Sequence, residues 1–414
     1  MKSNYLFLIF FISSAVLFSQ TPKCHIQQNN KSLVYDKLRN EHEKQFAQWI
    51  QNHKSSTTQA SVNIIPVVVH VVWNTAVQNI SNAQVISQIN ILNEDFRKLN
   101  TDTINTPVGF KSLIGDSKIE FCLAKRDPFG NPTTGITNTQ TTEFSFAPLL
   151  GDTNIYYTAS GGRDAWDTAQ YINIWVCNNG GGMATFPGVP RPFTGMQDGV
   201  IMDPAMFGNM GSATPPNDLG RLCDHEIGHY FYLLHIFNSS AGCMNDTVAD
   251  TPPQGVPILG CPALNAVITD SCSPAAPGVM YCNYMDYTDD ACKNMFSKGQ
   301  CTRMNWCLNT FRSSLLTSQG CLAPLGYDEF IEKNNITVSP NPSNGVFNFS
   351  LNLKEEKNIV IDVLNVIGER IYSEDFGSKK SGSIRIELSS LKSGIYFANI
   401  KTGNNLVTKK LLIQ

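Results

Sequence analysis

The run His225-Glu226-Ile227-Gly228-His229, with His235 ten residues after its first member, constrains this chain more than any other feature. On a helix, residues four apart lie on one face, about one turn along the axis. His225 and His229 can therefore hold one zinc ion through their imidazole nitrogens. Glu226 directly follows the first of them, where a carboxylate can act on a water that the metal polarises. Were the helix to continue, His235 would lie about 15 Å along the axis from His225 and point elsewhere. Three histidines on one ion thus require the chain to leave the helix between His229 and His235. Three protein ligands with one open position is the arrangement of a catalytic zinc rather than a structural one. The remaining histidines do not compete for this role. His25, His42 and His53 fall in a polar N-terminal segment, and His70 lies in the apolar run Val67 to Val72, where it reads as a core residue.

The segments around this motif divide the chain. Lys2, the apolar stretch Tyr5 to Ile12 and the small residues after it read as a secretory signal peptide, residues 1–19, cut before Gln20. No other stretch is apolar for long enough to span a bilayer. Residues 20–60 are polar, with one helical pattern (Leu33, Leu38, Phe46, Trp49, Ile50), and read as a propeptide. The formal charge of −3 over 414 residues gives no basic field for nucleic acid. Twelve cysteines in an exported chain imply disulfides. Ten of them lie from Cys122 to Cys307, Cys321 follows, and Cys24 stands apart.

From Val62 the pattern becomes that of a mixed α+β domain, over residues 61–322. Ile64 to Trp73 reads as a buried strand, and Ser81 caps an amphipathic helix to about Asn100. Strands are expected at Ile119–Ala124, Tyr171–Cys177 and Gly199–Met202, with Gly180-Gly181-Gly182 opening a turn. The motif helix is expected to start at Pro215-Pro216-Asn217, with Asn217 as its cap. Residues 238–281 are rich in Pro, Gly, Asp and Cys, a bridged loop region, and Asn305–Leu316 reads as a last helix. Residues 335–414 hold neither histidine nor cysteine; their short alternating strands read as a small all-β sandwich.

Together with Asn283-Tyr284-Met285-Asp286-Tyr287, the three-histidine motif resembles the pappalysin family of metzincin zinc endopeptidases, its ulilysin-like members in particular, over about residues 60–320. The resemblance implies a metzincin-like domain with a twisted mixed sheet, an active-site helix and a disulfide-rich lower part. It implies zinc on His225, His229 and His235, Glu226 as general base and then acid, Met285 in a turn beneath the metal, and Tyr287 as donor to the oxyanion. Asp290 would line the pocket after the scissile bond and favour Arg or Lys there. Cys243 would pair with Cys272 and Cys261 with Cys292. Asn245, Asp246, Asp250 and Thr251 sit where some relatives bind calcium. Cys24, after Lys23, resembles a latency switch, a thiolate filling the open metal position. The family has glycine three residues before the third histidine, where the backbone turns left-handed; here stands Tyr232. The C-terminal module resembles the type A sorting domain of type IX secretion substrates, carried by Val338-Ser339-Pro340-Asn341-Pro342, Ser393-Gly394-Ile395-Tyr396 and Lys409-Lys410-Leu411. Expected partners are protein or peptide substrates and the type IX secretion machinery, with the product secreted or at the cell surface. The competing reading is a non-catalytic surface-binding protein with a structural zinc, which would need neither Glu226 nor Tyr287.

Overall fold

The computed structural model describes residues 33–53, 61–188, 197–237, 242–243, 246–324, 336–402 and 405–414. The signal-peptide region, Cys24 and Asn245 lie outside them. Two compact units divide the chain: one runs up to Leu123 and from Ile136 to Ser318, the other takes Ala124–Gly135 with Gln319–Gln414. The loop at 124–135, which the sequence assigns to the peptidase domain, thus groups with the C-terminal part.

In the first unit the sheet is built on β1 (Asn63–Trp73), whose interior positions are buried on both faces. A strand flanked on both sides must be apolar at consecutive positions, which explains its Val/Ile run. β2 (Ile119–Leu123) and β3 (Ile136–Gln140) pair in parallel along one side of β1, and β4 (Ile172–Val176) along the other. β6 (Val200–Met202) follows β4 in parallel, and β5 (Gly182–Ala184) closes the order as an antiparallel edge strand. α2 (Asn82–Phe96) is capped by Ser81, whose hydroxyl accepts from the Gln84 amide, and buries Val85, Ile89, Leu92 and Phe96. α3 (Arg221–Tyr230) carries the histidine motif, and α4 (Lys298–Thr310) starts with a complete capping box between Ser297 and Gln300. α1 (Leu33–His53) contributes Phe46 to the same core.

Three sequence expectations change here. β3 and β5 were not expected: they are short, polar or glycine-bearing, and exist because β1 and β6 offer them partners. α4 begins at Lys298 rather than Asn305, its start set by the capping box. α3 begins at Arg221 rather than after Asn217, because Gly220 takes a left-handed φ of 75° and forms the bend.

The second unit is an all-antiparallel β-sandwich. β8 (Val346–Leu364) and β9 (Arg370–Glu387) pair with each other through an irregularity at Asn352/Lys357. Ahead of it β8 pairs with β7 (Ile336–Ser339); beyond it, with β10 (Gly394–Thr402), which in turn pairs with β11 (Asn405–Ile413). Phe347, Phe349, Ile359, Ile361, Ile400 and Leu411 share its core. No described helix is long and apolar enough to cross a membrane.

Candidate active site

α3 starts without a side-chain cap of its own. Asp290 supplies one from elsewhere: its Oδ2 accepts from the Leu219 and Arg221 amides at 3.1 and 3.0 Å. A carboxylate at the positive end of a helix also meets the macrodipole favourably. Arg221 then ties α3 to α2 through Asp95 at 3.3 Å and to Asp102 at 2.6 Å. Asp224, fully buried beside Asp95, is pushed well above the ordinary carboxylate range by burial first and the Asp95 charge second.

The Nε2 atoms of His225, His229 and His235 stand 3.0–3.1 Å from one another. They form the one cluster of at least three His, Cys, Asp or Glu side chains, among the described residues, arranged to hold a metal. His225 Nδ1 bonds the Tyr284 carbonyl at 2.7 Å and His229 Nδ1 the Leu233 carbonyl at 2.7 Å. A carbonyl only accepts, so both rings carry their proton on Nδ1 and present bare Nε2 lone pairs to the centre. Burial holds His225 well below its ordinary pKa, helped by His229, His235 and Lys293. Lone pairs converging at this distance repel unless a cation sits among them, so the donor set fits a resident metal ion.

The turn that delivers His235 is made by Tyr232, at φ 72°. A non-glycine residue there carries strain of roughly 1–2 kcal/mol. Tyr232 is buried among Phe186, Trp306, Phe311 and His42, and this packing offsets the strain. Below the histidines, Met285 is buried, and a Cβ at Gly228 would stand 2.6 Å from its sulfur. The motif therefore needs glycine at 228. Asn283 fixes this turn by accepting from the Met285 amide and exchanging amide hydrogen bonds with Gln300 of α4. Asp286 holds the following residue: it accepts from the Tyr287 and Ile258 amides and from Gln254. Burial raises its pKa to about 7, against those three bonds. The Tyr287 ring lies 5.7 Å from His225 and 5.0 Å from His235, partly exposed.

Glu226 is buried on the side facing β5; a Cβ at Gly182 would come within 2.7 Å of its Cγ and Oε1. The glycine run read as a turn thus ends in an edge strand pressed against the motif carboxylate. An edge strand offers unpaired backbone groups to an extended peptide. Sequence reasoning missed this feature; glycine beside a three-residue apolar strand was its only signal.

Other expected site residues have partners within the chain. Asp290 is fully buried, capping α3 through Oδ2, with Lys293 Nζ at 3.8 Å from its Oδ1. Asp250 accepts from Ser297 Oγ and the Gly299 amide, at the start of α4. Thr251 donates to Asp246 Oδ1, which also accepts from the Val248 amide. Burial raises Asp246 to about 6. These oxygens serve the loop itself. Cys243 is bonded to Cys272 and Cys261 to Cys292, and Cys122 and Cys321 are disulfide-bonded too. Cys177, Cys223, Cys282, Cys301 and Cys307 are free and buried, so oxidation accounts for fewer of the cysteines than their number suggests.

Three convergent histidines, a neighbouring glutamate and a methionine turn beneath them define a metzincin-type metallopeptidase centre. Residues 156–309 match the family model described as pregnancy-associated plasma protein-A, and residues 337–414 match that of the secretion system C-terminal sorting domain. Mature mirolysin of Tannerella forsythia, solved with a cleaved peptide, is 45% identical, with a TM-score of 0.59 over 66% of this chain and 98% of that one. A promirolysin mutant of the same organism is 41% identical, with a TM-score of 0.59 over 74% of this chain and 98% of that one. The extracellular metalloprotease 1 of Coccidioides posadasii is 36% identical over 148 residues, 34% of this chain; the match spans about half, 51%, of that relative's length. The chain belongs to the pappalysin family of metallopeptidases and carries a C-terminal sorting domain for export.

Proposed function

We propose that the protein is a secreted zinc endopeptidase, made as a precursor whose residues 1–19 and 20–60 are removed and whose residues 61–322 form the peptidase. The observation that carries this reading is the trio of Nε2 atoms within 3.1 Å, with Glu226 beside it. When bound to His225, His229 and His235, zinc supplies Lewis acidity to the scissile carbonyl and to water. Glu226 takes a proton from the attacking water. The water oxygen bonds to the carbonyl carbon, and the carbonyl oxygen takes up the negative charge. Tyr287 donates a hydrogen bond to that oxygen. Glu226 passes its proton to the amide nitrogen as the C–N bond breaks. The backbone of β5 aligns the substrate as an added strand.

Tyr287→Phe is expected to lower kcat about 100- to 1,000-fold with little change in KM, the cost of one oxyanion donor. An unchanged kcat removes Tyr287 from the mechanism.

The finer claim, that Asp290 favours Arg or Lys after the scissile bond, rests on its second oxygen, Oδ1, which accepts no hydrogen bond within the chain. Against it stands Lys293, a cation already beside that oxygen. Digestion of a random peptide library by the processed enzyme tests both levels. Internal cuts with Arg or Lys enriched after them are expected. Cuts without that enrichment end the specificity claim alone, and no cuts at all end the endopeptidase reading. Calcium at the loop of Asp246, Asp250 and Thr251 is favoured by Asp246 Oδ2, which accepts no hydrogen bond within the chain, while the chain's own donors occupy Asp246 Oδ1 and both Asp250 oxygens.

A further inference from the structure

α1 lies in the segment read as a propeptide, yet it is packed into the peptidase core. Its His42 is joined to the Tyr232 hydroxyl by a 2.9 Å hydrogen bond and meets the rings of Tyr232 and Phe311 edge-on. Glu43 makes a bidentate pair with Arg303 of α4 at 2.7 and 2.8 Å. The same guanidinium lies 4.5 Å from the Phe46 ring centre and donates to the Thr247 carbonyl at 2.9 Å. Phe46 in turn packs on Trp306.

Tyr232 and Thr247 share an unusual property. Both are non-glycine residues at positive φ, 72° and 63°. Tyr232 lies three residues before His235. The Tyr232 turn therefore bears on where the third histidine arrives, and α1 holds it through His42, while Glu43 anchors the same helix on Arg303. Strained backbone persists only where its surroundings over-determine it, and here α1 supplies part of them. At Gly188, just beyond β5, a Cβ would stand 2.8 Å from His42, so the helix also abuts the segment leaving the edge strand.

We propose that α1 is a positioning element for the third metal ligand: anchored on Arg303 by Glu43 and pinning Tyr232 by His42, it holds the turn that delivers His235, and its departure on maturation loosens the metal's hold. This rests on the reading of the three histidines as the zinc site. It is separate from any action of Cys24, because it runs through the protein framework and not through a ligand to the metal.

The test uses the full-length chain with Cys24→Ala and Glu226→Gln, so that the histidines alone hold zinc and self-cleavage is blocked. Zinc per chain is measured first; absence of zinc there refutes the site reading, not this one. Zinc release to a coloured chelator is then timed. His42→Phe and Glu43→Gln are each expected to speed release about fivefold, as for the loss of one contact between coupled residues. Lys44→Gln, on the exposed face of α1, leaves it unchanged. Tyr232→Phe removes only the hydroxyl; adding His42→Phe to it should speed release less than His42→Phe does alone. Release at the parent rate in both α1 variants, or full additivity of His42→Phe with Tyr232→Phe, overturns the proposal. Circular dichroism of each variant separates a local loosening from global unfolding.

Discussion

Glu226→Gln is expected to lower kcat/KM for peptide hydrolysis about 1,000-fold or more, roughly 4 kcal/mol of transition-state stabilisation, while zinc content stays at the wild-type level. Glutamine keeps the size of the side chain, which is buried against Gly182, so the fold and the histidine trio are preserved. What it loses is the ability to accept a proton from water and return it to the leaving amine. A substitution that removes both proton transfers acts on kcat more than on KM, because it leaves untouched the backbone of β5, the strand proposed to align the peptide. Measurement on one fluorogenic peptide, with metal analysis of the same samples, decides the matter. Cleavage by the variant at the wild-type rate excludes Glu226 as the proton carrier.

Stripping the metal with a chelator is expected to abolish cleavage, lower the melting temperature and be reversed by added zinc. A ligand that binds only the folded state, at roughly 100 times its Kd, stabilises by about 2.7 kcal/mol, or about 5–10 °C for a domain of this size. The sign follows from the site. His225 and His229 are locked in the tautomer that points lone pairs inward, at 3.0 Å from each other. Without a cation the folded state must hold these two lone pairs face to face in a buried place. The unfolded chain has no such problem, so removal of the metal penalises the folded state alone. A melting temperature that does not move when zinc is removed, or full cleavage in the stripped enzyme, contradicts the assignment.

How much of this was legible depends on whether the signal is local. The motif on α3 announced itself because helical periodicity converts sequence spacing directly into geometry: residues four apart share a face whatever surrounds them. The same holds for the Ser81 cap of α2 and the Val/Ile run of β1. The short strands β3 and β5 gave no comparable signal. Ile136–Gln140 and Gly182–Ala184 are strands only because β1 and β6 present open edges to them. That one oxygen of Asp290 accepts from the amides of Leu219 and Arg221, some seventy residues earlier, was not legible, because only the fold brings them together. Five cysteines buried as thiols were likewise invisible, because pairing requires two sulfurs brought within bonding distance by the fold.

Tyr232 marks the boundary between the two kinds of information. By itself the sequence determined that the chain must break from the helix between His229 and His235, since a continuous helix separates those imidazoles by simple rise and rotation. It also determined the two-part plan, a cysteine-bearing peptidase followed by a β module with no metal ligands. Only the tertiary structure decided that the break is a tyrosine in a left-handed conformation, held by rings from α1, α4 and the segment after β5. The physical reason is that positive φ is locally unfavourable for any residue with a Cβ. The energy that makes it tolerable comes from contacts distant along the chain, which no local pattern records.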